Sequence, residues 1–393
     1  MNTLLLIPSI LKKDVDSLVA ADRHPTMDYY ALAQRLRQET QPCRVEILDY
    51  AAVEASSDPR VQRMAKYAGR DFALAMMGFL RRNEFDAIFT NGENVSIPLA
   101  LLLRGAGVSA PGRRPGHVTI AHKLSTGKKR LFFKGLGLHR EIDTLFVYAA
   151  SQKAFGVERL GIPAKKLRLI PFHADSDFYR PLPDVKVNEN QISAAGLEWR
   201  DYPTLIAAVK DMSDLLTLLA AASPWSKHAN ETAKRELPPN VKARRYEYGE
   251  LRDLYASSAF VVVPLYENDF QAGVTTLLEA MAMGKAVIVT ETTGQRDVVV
   301  HGENGLTTPP GDVPAWKEAI VRLRNDAVLR ERLGRNARRW IEESATLTLW
   351  VDNIVNGIRD SVPQRPDKTR YPDPHIALEA AQRTGKSTPE VIK

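Results

Sequence analysis

The sequence contains one cysteine, Cys43, among its 393 residues. A single cysteine excludes an internal disulfide and any metal site built from several cysteines. The chain also has no apolar run that approaches the ~20 residues of a membrane-spanning helix. Residues 1–10 include an apolar run but have no basic segment before it and no clear cleavage site, which favours a buried first strand over a signal peptide. A cytoplasmic location is therefore the expectation.

Acidic residues are missing from one long stretch of a chain whose net charge is +7. Between Glu93 and Glu141 there are nine Lys or Arg residues and no Asp or Glu. Such a block is typical of a solvated face, but it also fits a surface that meets anionic lipid or a cleft that binds phosphate. No zinc-finger, basic-zipper or RNA-binding aromatic motif accompanies the charge, so nucleic acid is not an expected partner.

The length and the apolar pattern predict an α/β protein of two domains. A chain of 393 residues exceeds the usual size of one domain. Short apolar runs alternate with longer amphipathic segments, such as residues 59–82, 96–104 and 151–160, which indicates parallel sheets with crossover helices. The predicted strands cover residues 3–7, 44–48, 86–89, 118–121, 144–147, 167–170, 191–194, 215–221, 241–245, 260–264, 286–290 and 305–307.

Prolines mark the junction between the two halves. Pro171, Pro181 and Pro183 interrupt regular structure there. We expect two doubly wound, Rossmann-like domains with a ligand-binding cleft between them, because such sheets bind ligands outside the carboxyl ends of their strands. The predicted divisions are an N-terminal domain over 1–173, a linker over 174–186, a C-terminal domain over 187–345, a helix over 346–362 that packs back on the N-terminal domain, and a polar, proline-containing tail over 363–393.

Residues 261–305 carry the most informative pattern: a strand, a polar loop, a glycine, a helix and another strand. Gly273 allows a ligand to approach the backbone, and the helix that follows would present unpaired N–H groups and a partial positive charge to a diphosphate. Glu279 lies on this helix among apolar neighbours, so its carboxylate needs a polar partner. The two hydroxyls of a ribose would suit it. An ordinary strand–turn–helix unit without a ligand explains the spacing equally well.

The same segment resembles the retaining GT-B glycosyltransferases of family 4, also described as glycosyl transferases group 1. The resemblance rests on residues 278–288 (LEAMAMGKAVI), 293–299 (TGQRDVV), 302–306 (GENGL) and the turn at 310–312 (PGD). It implies a GT-B fold of two facing Rossmann-like domains. It also implies transfer of a sugar from a nucleoside-diphosphate sugar to an acceptor, with retention of anomeric configuration.

The resemblance assigns roles to the residues around the glycine. Glu279 would bind the nucleotide ribose, and the amides of Gly273, Val274 and Thr275 would face the diphosphate and the donor sugar. The family has a second glutamate eight residues before Glu279, but this chain has Gln271, which keeps hydrogen-bonding capacity and loses the charge. The neighbouring Glu267 or Asp269 could supply a carboxylate instead.

Three further contacts follow from the resemblance. Arg200 aligns with a basic residue that neutralises the leaving diphosphate, and its guanidinium can hold two phosphate oxygens; the alternative is a surface arginine. His122 ends a strand and would reach the donor sugar, or it is satisfied locally. Tyr246 lies where the family contacts the nucleobase. Residues 91–93 are a weaker candidate, for which an ordinary turn before a helix is favoured.

Residues 128–140 interleave basic and bulky apolar side chains, as in a segment that contacts an anionic membrane. The alternative is a domain helix with Phe132 or Phe133 in the core.

No cofactor or metal ion is expected, because basic residues can replace a divalent ion at the diphosphate. The lipid, glycan or small-molecule acceptor stays open. Two alternative functions stay open: a sugar-nucleotide epimerase of the same fold and a non-catalytic partner protein. The uncharged Gln271, in place of a glutamate, is compatible with the second.

Overall fold

The computed structural model describes residues 1–12, 14–39, 43–107, 114–221 and 237–362. Within them the chain forms two six-stranded, fully parallel sheets. The first sheet contains β1 (Thr3–Leu6), β2 (Val45–Leu48), β3 (Ala87–Asn91), β4 (Gly116–Ala121), β5 (Thr144–Val147) and β6 (Leu167–Leu169). The second contains β7 (Asn188–Ala195), β8 (Leu216–Ala220), β9 (Val241–Arg244), β10 (Ser258–Val263), β11 (Val287–Thr290) and β12 (Leu306–Thr308).

The strand orders are β2–β1–β3–β4–β5–β6 and β12–β11–β10–β7–β8–β9. Both orders reverse direction beside the first strand of their sheet, as in doubly wound folds. The prediction of two doubly wound parallel sheets is therefore confirmed. The central strands β1 and β10 are buried along their whole length, because helices cover both faces of a parallel sheet.

Fourteen α-helices lie in the described part of the chain. They are α1 (Asp16–Ala20), α2 (Asp28–Glu39), α3 (Tyr50–Glu54), α4 (Pro59–Ala68), α5 (Arg70–Leu80), α6 (Glu93–Gly105), α7 (Gly127–Arg130), α8 (Ala150–Glu158), α9 (Tyr202–Val209), α10 (Tyr248–Ser257), α11 (Val274–Ala282), α12 (Val313–Asn325), α13 (Ala327–Ser344) and α14 (Leu347–Ser361). None of them is long and apolar enough to cross a membrane.

The single helix predicted over residues 59–82 is wrong. The structure has two helices there, because Gly69 adopts φ 91°, a conformation that ends α4 and starts α5. The other predicted helices are present with shifted ends.

Within the described residues, the chain passes between the two sheets twice, and the two crossings lie side by side. The Ala174 N–H donates to the Ala345 carbonyl over 3.0 Å, and the Leu347 N–H donates to the Ala174 carbonyl over 3.0 Å. After the second crossing, α14 packs on the core of the first sheet, where Trp350 and Ile354 are buried. The predicted tail over 363–393 lies outside the described residues.

Candidate functional site

The carboxyl end of β10 leads into a loop that ends at Gly273, the N-cap residue immediately before α11. Gly273 has φ 77°, and α11 has no side-chain cap at this end. A Cβ atom at Gly273 would lie 2.8 Å from Nη1 of Arg200 and 3.0 Å from Leu265. A glycine is therefore needed both for the backbone conformation and for the approach of the arginine.

Arg200 is buried under the start of α11. Its Nε donates to the Ala195 carbonyl over 2.7 Å, Nη1 to the Glu198 carbonyl over 3.0 Å and Nη2 to Thr276 Oγ1 over 3.1 Å. A Cβ atom at Gly196 would lie 2.4 Å from Nη2, so a second glycine makes room for the guanidinium. These bonds use three of the five N–H groups of an arginine and fix its orientation. The alternative of a surface arginine is wrong, because Arg200 is only 9% exposed.

Glu279 lies inside the second domain, two turns along α11. Tyr255 donates its hydroxyl to Glu279 Oε2 over 3.1 Å. The carboxyl is 7% exposed, and burial raises its pKa to about 7. A carboxyl with this pKa is half protonated near neutral pH, so a ligand that donates hydrogen bonds to it would stabilise its charged form.

The loop before Gly273 contains the residue that departs from the family pattern. Gln271 is buried, and its Oε1 has no hydrogen-bond partner among the described residues. The two carboxylates that could replace a glutamate here are engaged with other groups. Glu267 accepts a hydrogen bond from the Thr293 N–H over 3.1 Å, and Asp269 pairs with Lys123 over 3.6 Å.

Val274 and Thr275 form the first turn of α11. The Val274 N–H donates to the Gln271 carbonyl over 3.4 Å, a long hydrogen bond. The Thr275 side chain is exposed. Tyr246 follows β9, and the Arg244 guanidinium lies 3.7 Å from the centre of its ring. The structure thus brings the Arg200 guanidinium close to Gly273, whereas Tyr246 contacts Arg244.

His122 follows β4 on the opposite side of the cleft. Its Nε2 lies 3.0 Å from Asn91 Oδ1, and Asn91 in turn donates to the Tyr29 hydroxyl. The ring of Tyr148 lies 5.8 Å away. The His122 ring is exposed within the cleft, and partial removal from water lowers its pKa. The ring is therefore neutral at pH 7.

Glu93 has a different role from its neighbour Asn91. It is 5% exposed, and its Oε1 accepts hydrogen bonds from the Lys129 ammonium and the Lys123 N–H, each over 2.8 Å. Burial alone would raise the pKa of Glu93, but the positive charge of Lys129 holds it below its usual value. This carboxylate fixes the loop that carries His122.

A pair of titratable groups, His173 and Asp28, is separated from His122 by the rings of Tyr148 and Phe172. His173 Nε2 is 3.8 Å from Asp28 Oδ2. Burial lowers the pKa of His173 to about 3 and raises that of Asp28 to about 7. The imidazole is therefore neutral at pH 7, and the pair carries at most a partial negative charge.

We call Asn91, His122 and Tyr148 the N-terminal wall of the cleft, and Arg200, Gly273 and Glu279 the C-terminal wall. Lys123 connects the loop of His122 to the loop before Gly273, since its ammonium lies 4.5 Å from the ring centre of Phe270 in that second loop. Sequence reasoning missed Lys123 and the hydroxyl that Tyr255 supplies to Glu279. The only feature of the sequence that pointed to Lys123 as a residue of the cleft was its position directly after His122. No group of three metal-ligating side chains occurs in the described ranges.

The fold is GT-B. In solved structures it matches HepE of Anabaena in complex with UDP-glucose, with a TM-score of 0.63 and 15% identity over 92% of this chain and 100% of that one. It also matches a sucrose-phosphate synthase of Thermosynechococcus elongatus, with a TM-score of 0.67 and 15% identity over 92% of this chain and 99% of that one.

Residues 195–326, which carry the whole C-terminal wall, match the family model described as glycosyl transferases group 1. An uncharacterised glycosyltransferase of Methanocaldococcus jannaschii is 30% identical over 155 residues, which are 39% of this chain and 42% of that protein. The chain thus matches less than half the length of this relative.

Proposed function

We propose that this protein is a glycosyltransferase that moves a sugar from a nucleoside-diphosphate sugar to a lipid, glycan or small-molecule acceptor. The observation that carries the proposal is the close approach of the buried guanidinium of Arg200 to Gly273 at the start of α11. A fixed positive charge beside the N-terminus of a helix forms a binding site for a diphosphate. The family match over residues 195–326 and the names of the relatives support the same activity.

The roles of the donor-binding residues follow from this arrangement. Arg200 and the amides at Gly273, Val274 and Thr275 bind the diphosphate and stabilise the charge that develops as it leaves. Glu279 accepts hydrogen bonds from the ribose. Its raised pKa supports this role, since it indicates a buried carboxyl without enough donors.

Gln271 and Tyr246 complete the donor site. The unpartnered Oε1 of Gln271 accepts a hydrogen bond from a hydroxyl of the donor sugar, which would remove the cost of burying that oxygen alone. Tyr246 stacks on the nucleobase from its place after β9. The solved structure of HepE, which contains UDP-glucose, makes uridine nucleotides the first donors to test.

We further propose transfer with retention by a front-face route. The acceptor oxygen bonds to the anomeric carbon on the face from which the diphosphate leaves with its electron pair, and the acceptor proton passes to the departing phosphate. His122 would hydrogen-bond the donor sugar from the N-terminal wall. No divalent ion is required, because Arg200 supplies the positive charge at the diphosphate.

A panel of UDP-, GDP- and dTDP-sugars tests the proposal. Nucleotide release is measured with acceptor extracts, with and without EDTA, and the anomeric configuration of the product is read by NMR. We expect acceptor-dependent release that persists in EDTA. Release of a changed sugar nucleotide without acceptor would favour an epimerase. Nucleotide binding without any turnover would favour the non-catalytic alternative, to which the neutral Gln271 points.

Residues 128–140 lie beside the N-terminal wall, and we propose that they contact an anionic membrane. Leu131 and Leu136 are 62% and 42% exposed, whereas Phe133 is buried in the core. Lys128 and Lys134 are exposed next to the two leucines. Exposed leucines beside lysines suit the boundary between anionic headgroups and acyl chains. A membrane-borne acceptor would then reach the cleft from this side.

A further inference from the structure

Helix α8 belongs to the first domain, but its N-terminus donates hydrogen bonds to residues of the second domain. No side chain of its own caps this end. Asp297 accepts a hydrogen bond from the Ala150 N–H over 2.7 Å, and the Ser151 hydroxyl donates to the Asp269 carbonyl over 3.1 Å. An aspartate is a favourable cap for a helix N-terminus. The start of α8 is thus a contact point between the two domains.

Gln152, in the first turn of α8, is hydrogen-bonded to one loop beside each wall of the cleft. Its Oε1 accepts a hydrogen bond from the Leu124 N–H over 2.6 Å, and its Nε2 donates to the Asp269 carbonyl over 2.7 Å. The side chain is 2% exposed. Leu124 lies two residues after His122, and Asp269 lies two residues before Gln271. One buried amide therefore connects the loop of His122 to the loop of Gln271.

We propose that Gln152 is a positioning residue that sets the distance between the two walls of the cleft during sugar transfer. The inference rests on the proposed function. An amide suits this task because it offers an acceptor and two N–H donors from a single planar group. The acceptor is used within the first domain, and Nε2 donates to the Asp269 carbonyl across the cleft and lies 3.5 Å from Ser125 Oγ. Gln152 touches no residue of the diphosphate site, so it acts on the alignment of the reacting groups.

The backbone of the second domain is strained where it meets this contact. Trp199 has φ 58°, which is unusual for a residue other than glycine. Its ring packs against Phe270 with 5.8 Å between centres, and the Lys123 ammonium lies 5.2 Å from the Trp199 ring centre. These groups are more exposed than Gln152, so their contacts are individually weak. These contacts lie at the same junction between the two domains that Gln152 bridges in the interior.

The substitution Gln152→Glu separates the two hydrogen bonds. A glutamate keeps an oxygen for the Leu124 N–H. Its second oxygen can accept a hydrogen bond from the Ser125 hydroxyl but not from the Asp269 carbonyl, so the bond that is lost is the one across the cleft. We expect kcat to fall about 10- to 100-fold, as for a misplacement of reacting groups of about 1 Å. The Kd for UDP should stay within about threefold, since Arg200 and Glu279 are unchanged.

Two further variants make the result specific. Ser151→Ala removes a different hydrogen bond to the same Asp269 oxygen and should leave kcat within about threefold. Gln152→Asn keeps both types of group on a shorter side chain that cannot span the gap, and it serves if Gln152→Glu does not fold. Thermal unfolding and circular dichroism establish that each variant is folded.

Hydrogen exchange of the protein without ligand gives a readout that does not depend on activity. In Gln152→Glu, the amides of residues 265–273 should exchange on the order of tenfold faster, while the Leu124 amide keeps its protection. Unchanged exchange in residues 265–273, or an unchanged kcat in a folded variant, would overturn the role of Gln152. A wild-type protein that binds neither UDP nor UDP-glucose would instead count against the proposed function.

Discussion

The two walls of the cleft differ in charge. The C-terminal wall has a buried arginine, a helix N-terminus and a carboxyl whose pKa is raised to about 7. The N-terminal wall has a neutral imidazole at His122, an amide at Asn91 and the aromatic ring of Tyr148. Groups fixed by buried hydrogen bonds suit a charged ligand of constant structure, such as a nucleoside diphosphate. Neutral groups suit a ligand that carries hydroxyls and little charge.

Under the proposed function, we expect the C-terminal wall to bind the nucleotide of the donor and His122 in the N-terminal wall to contact the donor sugar. Substitutions in the C-terminal wall should therefore change nucleotide binding. Those in the N-terminal wall should change turnover alone. Single variants in each wall can test this separation, starting with the largest expected effect.

Arg200→Lys should have the largest effect. A lysine keeps the charge but cannot make the three hydrogen bonds of the guanidinium or hold two phosphate oxygens. We expect kcat/KM for the donor to fall by about 100-fold or more. The matched control is Arg330→Lys, since Arg330 is also 9% exposed and bonded to the Leu323 and Arg324 carbonyls away from the cleft. Equal losses in both variants would remove the special role of Arg200.

Glu279→Gln should weaken binding and stabilise the fold. Loss of the carboxylate should raise the Kd for UDP about tenfold, as measured by calorimetry. The pKa of Glu279 rises from its ordinary value of 4.5 to about 7 in the fold, so its penalty to the folded state is absent below pH 4.5 and grows as the pH rises to about 7. The glutamine variant should therefore be more stable than wild type at pH 8 by up to about 3 kcal/mol.

The pH dependence separates these two effects of Glu279. Thermal melts of both proteins should nearly coincide at pH 4 and diverge between pH 5 and 8. Glu250→Gln, on the exposed face of α10, is the control and should not show this divergence. A variant that binds UDP as tightly as wild type would refute the contact with the ribose.

His122→Gln should lower kcat about tenfold and leave the Kd for UDP unchanged, because the ring lies on the wall opposite the proposed nucleotide site. The pKa of His122 is below its usual value, so the ring stays neutral above pH 7 and turnover should show no titration of this group between pH 7 and 9. Steady-state kinetics across this range provide the measurement. A tenfold change in the Kd for UDP would contradict the division between the walls.

The smallest effect on turnover is expected outside the walls. Replacing Lys128, Leu131 and Lys134 together by glutamine should abolish flotation with vesicles that contain anionic lipid, and should leave transfer to a water-soluble acceptor within about twofold. The control replaces Lys317 and Arg322, which are exposed on α12 of the other domain. Flotation that persists in the first variant would remove the membrane proposal.

The sequence predicted the sheets well because buried parallel strands are contiguous apolar runs. The sequence also predicted that Gly273 precedes a helix and that Glu279 lies on it, since both residues are in one short segment. The break at Gly69 was missed because a glycine within a helical pattern does not reveal its φ angle. The bond from Tyr255 to Glu279 and the bridge through Gln152 could not be predicted, because their partners lie 24 and 117 residues away.

Helix α14 has a consequence for how the chain folds during synthesis. The first sheet is complete at β6, but its core includes Trp350, Val351, Ile354 and Ile358 from the end of the described chain. The ribosome therefore makes the strands of this domain first, and their apolar surface stays uncovered until α14 emerges. The second domain, continuous in sequence, can close its core earlier. The half of the protein made first is thus the half that finishes folding last.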